Sequence, residues 1–183
     1  MMKRIALLAA ILLLTAGALA AQPPAQAPAP VPPKPDPWLA LRFLIGSWQS
    51  KTTGGVAQAQ AAASYTFQLE LSDHVLARHS RSGACVATDD FDCQHNDLLY
   101  IYPAAEGQGF QAIYLDNEGH VIHYTVSVPK PATVVFLSDP SQLGPQYRLT
   151  YSLLEGVMSG LFELQIPGQT QFTSYLEWSG KKR

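Results

Sequence analysis

The sequence has little charge, and this shortage excludes one class of partner. Charged residues make up 14% of the 183-residue chain, and the formal net charge is −2. No basic stripe runs along the sequence, and the three basic residues at 181–183 are too few to act as one. Nucleic-acid binding needs many phosphate-neutralising cations. We therefore predict no nucleic-acid partner.

Sequence signatures of catalysis are also missing. No serine lies between the glycines of a nucleophile elbow, and no pair of carboxylates stands out as an acid and base. The cysteines do not have the C-x-x-C spacing of redox enzymes. A serine, a histidine and an aspartate can still meet in space, so the sequence favours a protein without catalysis but leaves an enzyme open.

Metal and cofactor motifs are absent too. Successive side chains of a strand alternate between its faces, so His120 and His123 point to opposite sides, as do His74 and His79. The acidic residues near the two cysteines lack the glycine of an EF-hand loop. These patterns predict no metal site and no cofactor.

One long apolar run is present, at the N-terminus. Lys3 and Arg4 precede the apolar segment 5–14, and residues 18–20 then show the small-x-small pattern of a signal-peptidase site. The run is short for a membrane span of ~20 residues. No cysteine follows it closely, which excludes the lipid anchor of bacterial lipoproteins. We therefore predict a signal peptide over 1–21, no membrane span after its cleavage, and a periplasmic or secreted protein.

Prolines are concentrated just after the predicted signal peptide. Eight of the 14 prolines lie within 22–37, with alanine and glutamine between them. Proline removes backbone donors and imposes extended conformations, and such a segment has little to bury. The composition predicts a disordered Pro/Ala-rich linker over 22–36 and one folded domain over 37–183.

The two cysteines of the chain, Cys85 and Cys93, flank a short and mostly polar segment. An oxidising compartment allows them to pair. Closing so small a loop stabilises a fold by about 2–3 kcal/mol. We predict a structural disulfide between them.

The domain after the linker has the pattern of an antiparallel β-sheet. Asp36 and Pro37 can begin a short helix that ends at Gly46 and packs as a lid or plug. Short runs rich in Tyr, Phe, Val, Thr and Leu then alternate with turn residues. Strands are predicted near 46–52, 61–71, 74–81, 97–103, 108–115, 119–127, 132–138, 146–154, 156–166 and 170–179. Because short antiparallel strands need closure to hide their edges, we predict an all-β fold, a single up-and-down barrel of about ten strands with a short N-terminal helix.

Alternation within the strands places bulky rings on one face. A single-layer barrel keeps its polar face in water, so these rings should point inward. The same sorting puts Leu71, Ile166 and Phe172 inside and Arg148 and Tyr175 outside. The inward rings either line a cavity for a small apolar ligand or fill the interior. The predicted ligand-binding residues are Trp48, Phe67, Tyr114, Tyr124, Tyr151 and Phe162.

Two segments resemble known barrel families. The sequence FLIGSW at 43–48 resembles the G-x-W start of the lipocalin and calycin superfamily, in which the tryptophan lies at the closed end beneath a basic residue from near the last strand. The sequence YLDNEGHVIHY at 114–124 resembles bacterial lipocalin-like families of nitrobindin-type architecture. The resemblance covers roughly 40–180 and implies a barrel with a basic partner for Trp48. Haem binding does not carry over, because no histidine follows His123.

Together these features favour an exported protein that holds a small apolar molecule in a barrel cavity. Two alternatives stay open on the sequence alone. One is an enzyme of lipocalin-like fold that acts on an apolar substrate. The other is an envelope protein-interaction or structural module whose barrel is filled.

Overall fold

The computed structural model describes residues 35–87, 92–105, 109–140 and 144–183. The predicted signal peptide and all but the last two residues of the predicted linker lie outside these ranges. In the part of the chain that is described, no helix is long and apolar enough to cross a membrane.

A short 3₁₀ helix, Leu39–Leu44, precedes ten strands. The strands are β1 Gly46–Gly54, β2 Gln60–Glu70, β3 Val75–Val86, β4 Asn96–Pro103, β5 Phe110–Asp116, β6 Val121–Lys130, β7 Thr133–Ser138, β8 Gln146–Leu154, β9 Val157–Gln165 and β10 Thr173–Lys182. Each overlaps the strand predicted for it from alternation and turn residues.

The strands form a closed antiparallel barrel. Each strand pairs with its neighbours in the chain, and β10 pairs back with β1. Closure leaves the described sheet without a free edge, which is the physical reason for a barrel of short strands. The predicted all-β, up-and-down architecture is confirmed.

The strand directions distribute the connections between two ends of the barrel. The 3₁₀ helix and the tight turn between β8 and β9 lie at one end, which we call the closed end. The connection of β3 to β4, with the two cysteines, and the turn between β5 and β6 lie at the other, which we call the open end. The closed-end turn at Glu155 and Gly156 has positive φ at both residues, 49° and 77°. Such angles are those of a type I′ hairpin, which glycine favours.

The 3₁₀ helix plugs the closed end. Asp36 Oδ1 accepts the backbone N–H of Trp38 at 3.0 Å in the turn before the helix. The N-cap is Trp38, two residues after the predicted Asp36, and no side chain caps the helix. The Trp38 indole stacks on Phe110 with centroids 5.1 Å apart and donates to the carbonyl of Asp73 at 2.8 Å. Leu41 and Leu44 are fully buried. The helix therefore covers the core at this end and is tied to the turn between β2 and β3.

Most predictions of which face a side chain takes are confirmed, and four are wrong for local reasons. Leu71 is 75% exposed, and Ile166 is also exposed, because each lies beyond the end of its strand. Phe172 precedes β10 and lies on the outer surface, where the Arg148 guanidinium is 4.1 Å from its ring centre. Tyr175 lies inside rather than outside, since the pairing of β9 and β10 shifts register beside it.

Candidate functional site

A cavity of about 390 Å³ lies in the half of the barrel nearer the open end. Nine of the ten strands contribute to its lining, and β7 does not. Its walls differ in chemistry from one side of the barrel to the other. The inward-facing residues of the neighbouring strands determine the chemistry of each wall.

Small side chains form the first wall and create the space. Ser50 on β1 lies opposite Ala63 on β2, and Ala63 lies opposite Ser82 on β3. Ala61 and Ser80 extend the same inward surface. Protein interiors are close-packed, so a row of residues this small across three neighbouring strands leaves volume that the facing side chains do not fill.

Aromatic and leucine side chains form the facing wall, from β8, β9 and β10. Tyr147 stacks on Phe162 with centroids 5.7 Å apart, and Phe162 meets Tyr175 edge-on at 6.2 Å. Trp178 and Leu149 complete this surface. The wall offers a broad apolar surface, with tyrosine hydroxyls as its polar groups.

Charged residues form a third wall, and Arg78 is its innermost member. The Arg78 guanidinium donates to Asp97 Oδ1 and to the Tyr151 hydroxyl. The Arg78 and Asp97 side chains are only 6% and 7% exposed. Burial opposes ionisation of Asp97, but the charges of Arg78 and His95 outweigh it and hold the pKa of this carboxyl below its usual value. A charged pair this deep is stable only while both partners are present.

His95 lies nearer the opening and connects several of these groups. Its Nε2 is 2.9 Å from the Tyr114 hydroxyl and 3.3 Å from Asp97 Oδ2, and its Nδ1 is 2.7 Å from Glu118 Oε1. The hydrogen bond to Asp97, with that to Glu118, outweighs the effect of burial and raises the pKa of His95 to about 9. In the absence of other ligands, the imidazole is therefore protonated at neutral pH.

Asp116 is fixed by the turn that follows it. Its Oδ1 accepts the backbone N–H groups of Glu118 and His120 at 3.0 and 2.9 Å. Its Oδ2 is 2.8 Å from His120 Nδ1 and 3.2 Å from the Tyr114 hydroxyl. One ligand atom from each of His95, Asp116 and Glu118 lies within 4.8 Å of the others. Such a set of nitrogen and oxygen atoms can hold a metal ion.

A disulfide joins Cys85 and Cys93 at the open end, as predicted. It connects the end of β3 to the segment that carries His95. Asn96 and Asn117 tie that segment to the β5–β6 turn, since the backbone N–H of each donates to an oxygen of the other at 2.7 and 3.1 Å. The two connections that hold the charged groups are thus bound to each other.

Of the predicted ligand-binding residues, Tyr114, Tyr124 and Phe162 line the cavity. Tyr151 lies below it and bonds to Arg78. Trp48 and Phe67 do not line it, because they are packed in the core towards the closed end.

Trp48 occupies the position that the lipocalin resemblance implies. Its indole donates to the carbonyl of Leu44 at 2.8 Å, and the ammonium of Lys182 lies 5.7 Å from the ring centre. The prediction that Trp48 faces inward is therefore correct, but alternation does not show how far along the barrel axis a residue lies.

Sequence reasoning missed Arg78, His95, Asp97 and Glu118. The inward position of Arg78 could have been predicted from alternation, because Arg78 lies two residues after the fully buried Leu76 on the same face of β3. His95 and Glu118 lie in connections, where alternation carries no information.

No protein-family model matches the chain, and no curated protein matches it in sequence. The cavity and its walls are therefore the features of the molecule that bear on its function.

Proposed function

We propose that this protein is exported, has a lipocalin-like barrel, and binds a small, largely apolar molecule in the cavity at the open end. One observation carries the proposal. A cavity of about 390 Å³ separates an aromatic wall from a wall of small residues, inside a barrel whose other half is packed.

The size and chemistry of the cavity suit a small organic ligand. Pockets of about 300–1,000 Å³ with apolar walls and a few polar groups typically hold such molecules. Each buried methylene contributes about 0.8 kcal/mol. A compound of some ten to twelve carbons therefore approaches the roughly −8 kcal/mol of micromolar binding.

The charged wall makes one side of the cavity polar and leaves the other side apolar. Ser80, Tyr114, Tyr124 and the Arg78–Asp97 pair lie on β3 to β6, whereas leucine and aromatic groups lie on β8 to β10. A ligand with one polar end would place that end against β3 to β6 and its apolar body against Phe162. The preferred ligand class is therefore apolar with a single polar group.

The disulfide supports export. Disulfides form and persist in oxidising compartments, and the pattern of the first 21 residues is that of a signal peptide. Expression of the full-length sequence in a bacterial host should yield a periplasmic product that starts near residue 22. Intact-mass measurement of that product tests this part of the proposal.

Ligand binding is tested by titrating the purified protein with N-phenyl-naphthylamine, an apolar fluorescent probe. Ala63 faces the cavity, and its neighbour Ser64 faces solvent on the same strand. We expect micromolar binding to the wild type, at least tenfold weaker binding to Ala63→Phe, and wild-type binding to Ser64→Phe. Equal affinity of both variants, with both shown folded by circular dichroism, would contradict the proposal.

A further inference from the structure

We propose that the open end of the barrel binds a divalent transition-metal ion, with Zn²⁺ as the test ion, through His95, Asp116 and Glu118. The proposal goes beyond the proposed function because it requires no organic ligand. Three steps support it: the spacing of the ligand atoms, the groups that orient them, and the charge that they leave unbalanced.

The spacing brings three ligand atoms of suitable type together. One atom from each residue lies within 4.8 Å of the other two. Zinc binds imidazole nitrogen and carboxylate oxygen at about 2.0–2.2 Å, so ligand atoms around one ion lie about 3–4 Å apart. Small side-chain rotations are enough to bring the three residues to that distance.

The orientation of His95 is the strongest argument. Its Nδ1 faces Glu118 Oε1 at 2.7 Å, whereas its Nε2 faces Asp97 Oδ2 at 3.3 Å. A metal-binding histidine almost always donates its other ring N–H to a carboxylate or carbonyl. Here Asp97 is buried and fixed by Arg78. The ring is therefore held with Nε2 engaged by the Tyr114 hydroxyl and Asp97, and with Nδ1 facing Glu118, another of the proposed ligands.

The orientation of Asp116 fits the same centre. Its Oδ1 is occupied by two backbone N–H groups of the following turn, which leaves Oδ2 as the ligand atom. The side chain is 3% exposed, so few water molecules solvate it. His120 Nδ1 is 2.8 Å from Oδ2, which places a second imidazole beside the site.

The charge of the open end favours a divalent cation. Arg78 is paired with Asp97, and among the described residues no lysine or arginine forms an ion pair with Asp116 or Glu118. Two carboxylates therefore face the one protonated imidazole of His95, and Zn²⁺ would displace the His95 proton to solvent as it binds. Imidazole with carboxylate suits zinc and its neighbours in the first transition row.

The three residues also line the cavity. Three protein ligands leave a coordination position of zinc open to water or to another donor. That position would face the space in which we place the organic ligand.

The test is calorimetric titration of Zn²⁺ into untagged protein expressed from the full-length sequence and freed of metal by a chelator. We expect one ion per chain and at least tenfold weaker binding in Asp116→Asn and Glu118→Gln. His79→Gln is the matched control, because His79 and Glu70 form a single histidine–carboxylate pair, 2.8 Å apart, on the outer surface. This control should bind as the wild type does.

Glu118→Gln keeps the test decisive if the aspartate variant fails to fold, because Glu118 is 39% exposed on a turn. In a second measurement, the ring signals of His95 in NMR spectra should shift on zinc addition and those of His79 should not. Unchanged affinity in Glu118→Gln, or no binding by the folded wild type at micromolar zinc, would overturn the proposal. Either result is independent of the probe titration, so the two proposals fail separately.

Discussion

The two halves of this barrel are built from the same alternating strands but differ in what their inward residues do. In the closed half, Trp48 and Phe67 belong to the buried core, together with Leu41 and Leu44 of the 3₁₀ helix. In the open half, small residues on β1 to β3 face the aromatic wall across empty volume. Alternation alone therefore closes a barrel, and residue size at each height along it decides whether the interior is core or cavity.

Replacing one aromatic side chain in each half by alanine should show the largest difference in stability between the two halves. Phe67 is fully buried, so Phe67→Ala should destabilise the protein by about 3–5 kcal/mol. Phe162 borders the cavity and is only partly buried, so Phe162→Ala should destabilise it by about 1 kcal/mol. Urea unfolding of both variants measures the difference. Equal losses would mean that the open half is packed like the closed one.

Removing one arginine from each of two ion pairs should give the next largest effect. Arg78→Met leaves Asp97 buried and unpaired, and should destabilise the fold by about 3 kcal/mol. Arg148 is 36% exposed and donates two hydrogen bonds to Glu163, whose side chain is 10% exposed, so Arg148→Met should destabilise the fold less than the Arg78 change does, by about 1–2 kcal/mol. The same unfolding experiment compares them. A small loss in the Arg78 variant would show that Asp97 finds another partner or a proton.

Loss of the disulfide should have an intermediate effect, limited to the open end. The bridge closes a sequence separation of eight residues. The double variant Cys85→Ser, Cys93→Ser should lose about 2–3 kcal/mol in unfolding free energy. Among amides that exchange by local opening, hydrogen exchange should speed up around Asn96 and Asn117 and stay unchanged around the 3₁₀ helix. Faster exchange at both ends would contradict the separation of the two halves.

High pH should produce the smallest effect. Burial raises the pKa values of Tyr65 and Tyr124 above the ordinary tyrosine value of about 10. Above pH 10 the unfolded chain loses these protons while the folded protein keeps them, so stability falls as pH rises. Each such tyrosine contributes about 1.4 kcal/mol per pH unit. Between pH 10 and 11, where a tyrosine in the unfolded chain is only partly ionised, Tyr124→Phe should reduce the loss of unfolding free energy by about 1 kcal/mol. An unchanged slope would show that Tyr124 ionises in the folded state.

The fold could be predicted from the sequence because closure depends on local patterns. Turn residues and alternation located every strand, and the resemblance of the Gly46–Trp48 start to lipocalins implied that the tryptophan lies at the closed end. The candidate site could be predicted only in part. The alternation of side chains along each strand assigns Phe67 and Tyr124 to the inner face of the barrel. It does not show that Phe67 lies in the core and Tyr124 at the cavity. Height along the barrel depends on strand register, which the sequence shows only where turns are tight.

The charged wall depends on long-range register still more strongly. Arg78 meets Asp97 because β3 pairs with β4, and meets Tyr151 across the barrel interior. His95 and Glu118 come from two connections that a disulfide and two asparagines hold together. No periodic pattern links residues so far apart in the chain, so the cluster emerges only when the barrel closes.

The most direct test of a hollow open half is a crystal structure of the protein soaked with 1-bromonaphthalene, read from the anomalous signal of bromine. The account predicts bromine in the open half, between Phe162 and Ala63, and none among the packed rings of the closed half. Bromine absent from the barrel, or bound only to its outer surface, would contradict the account.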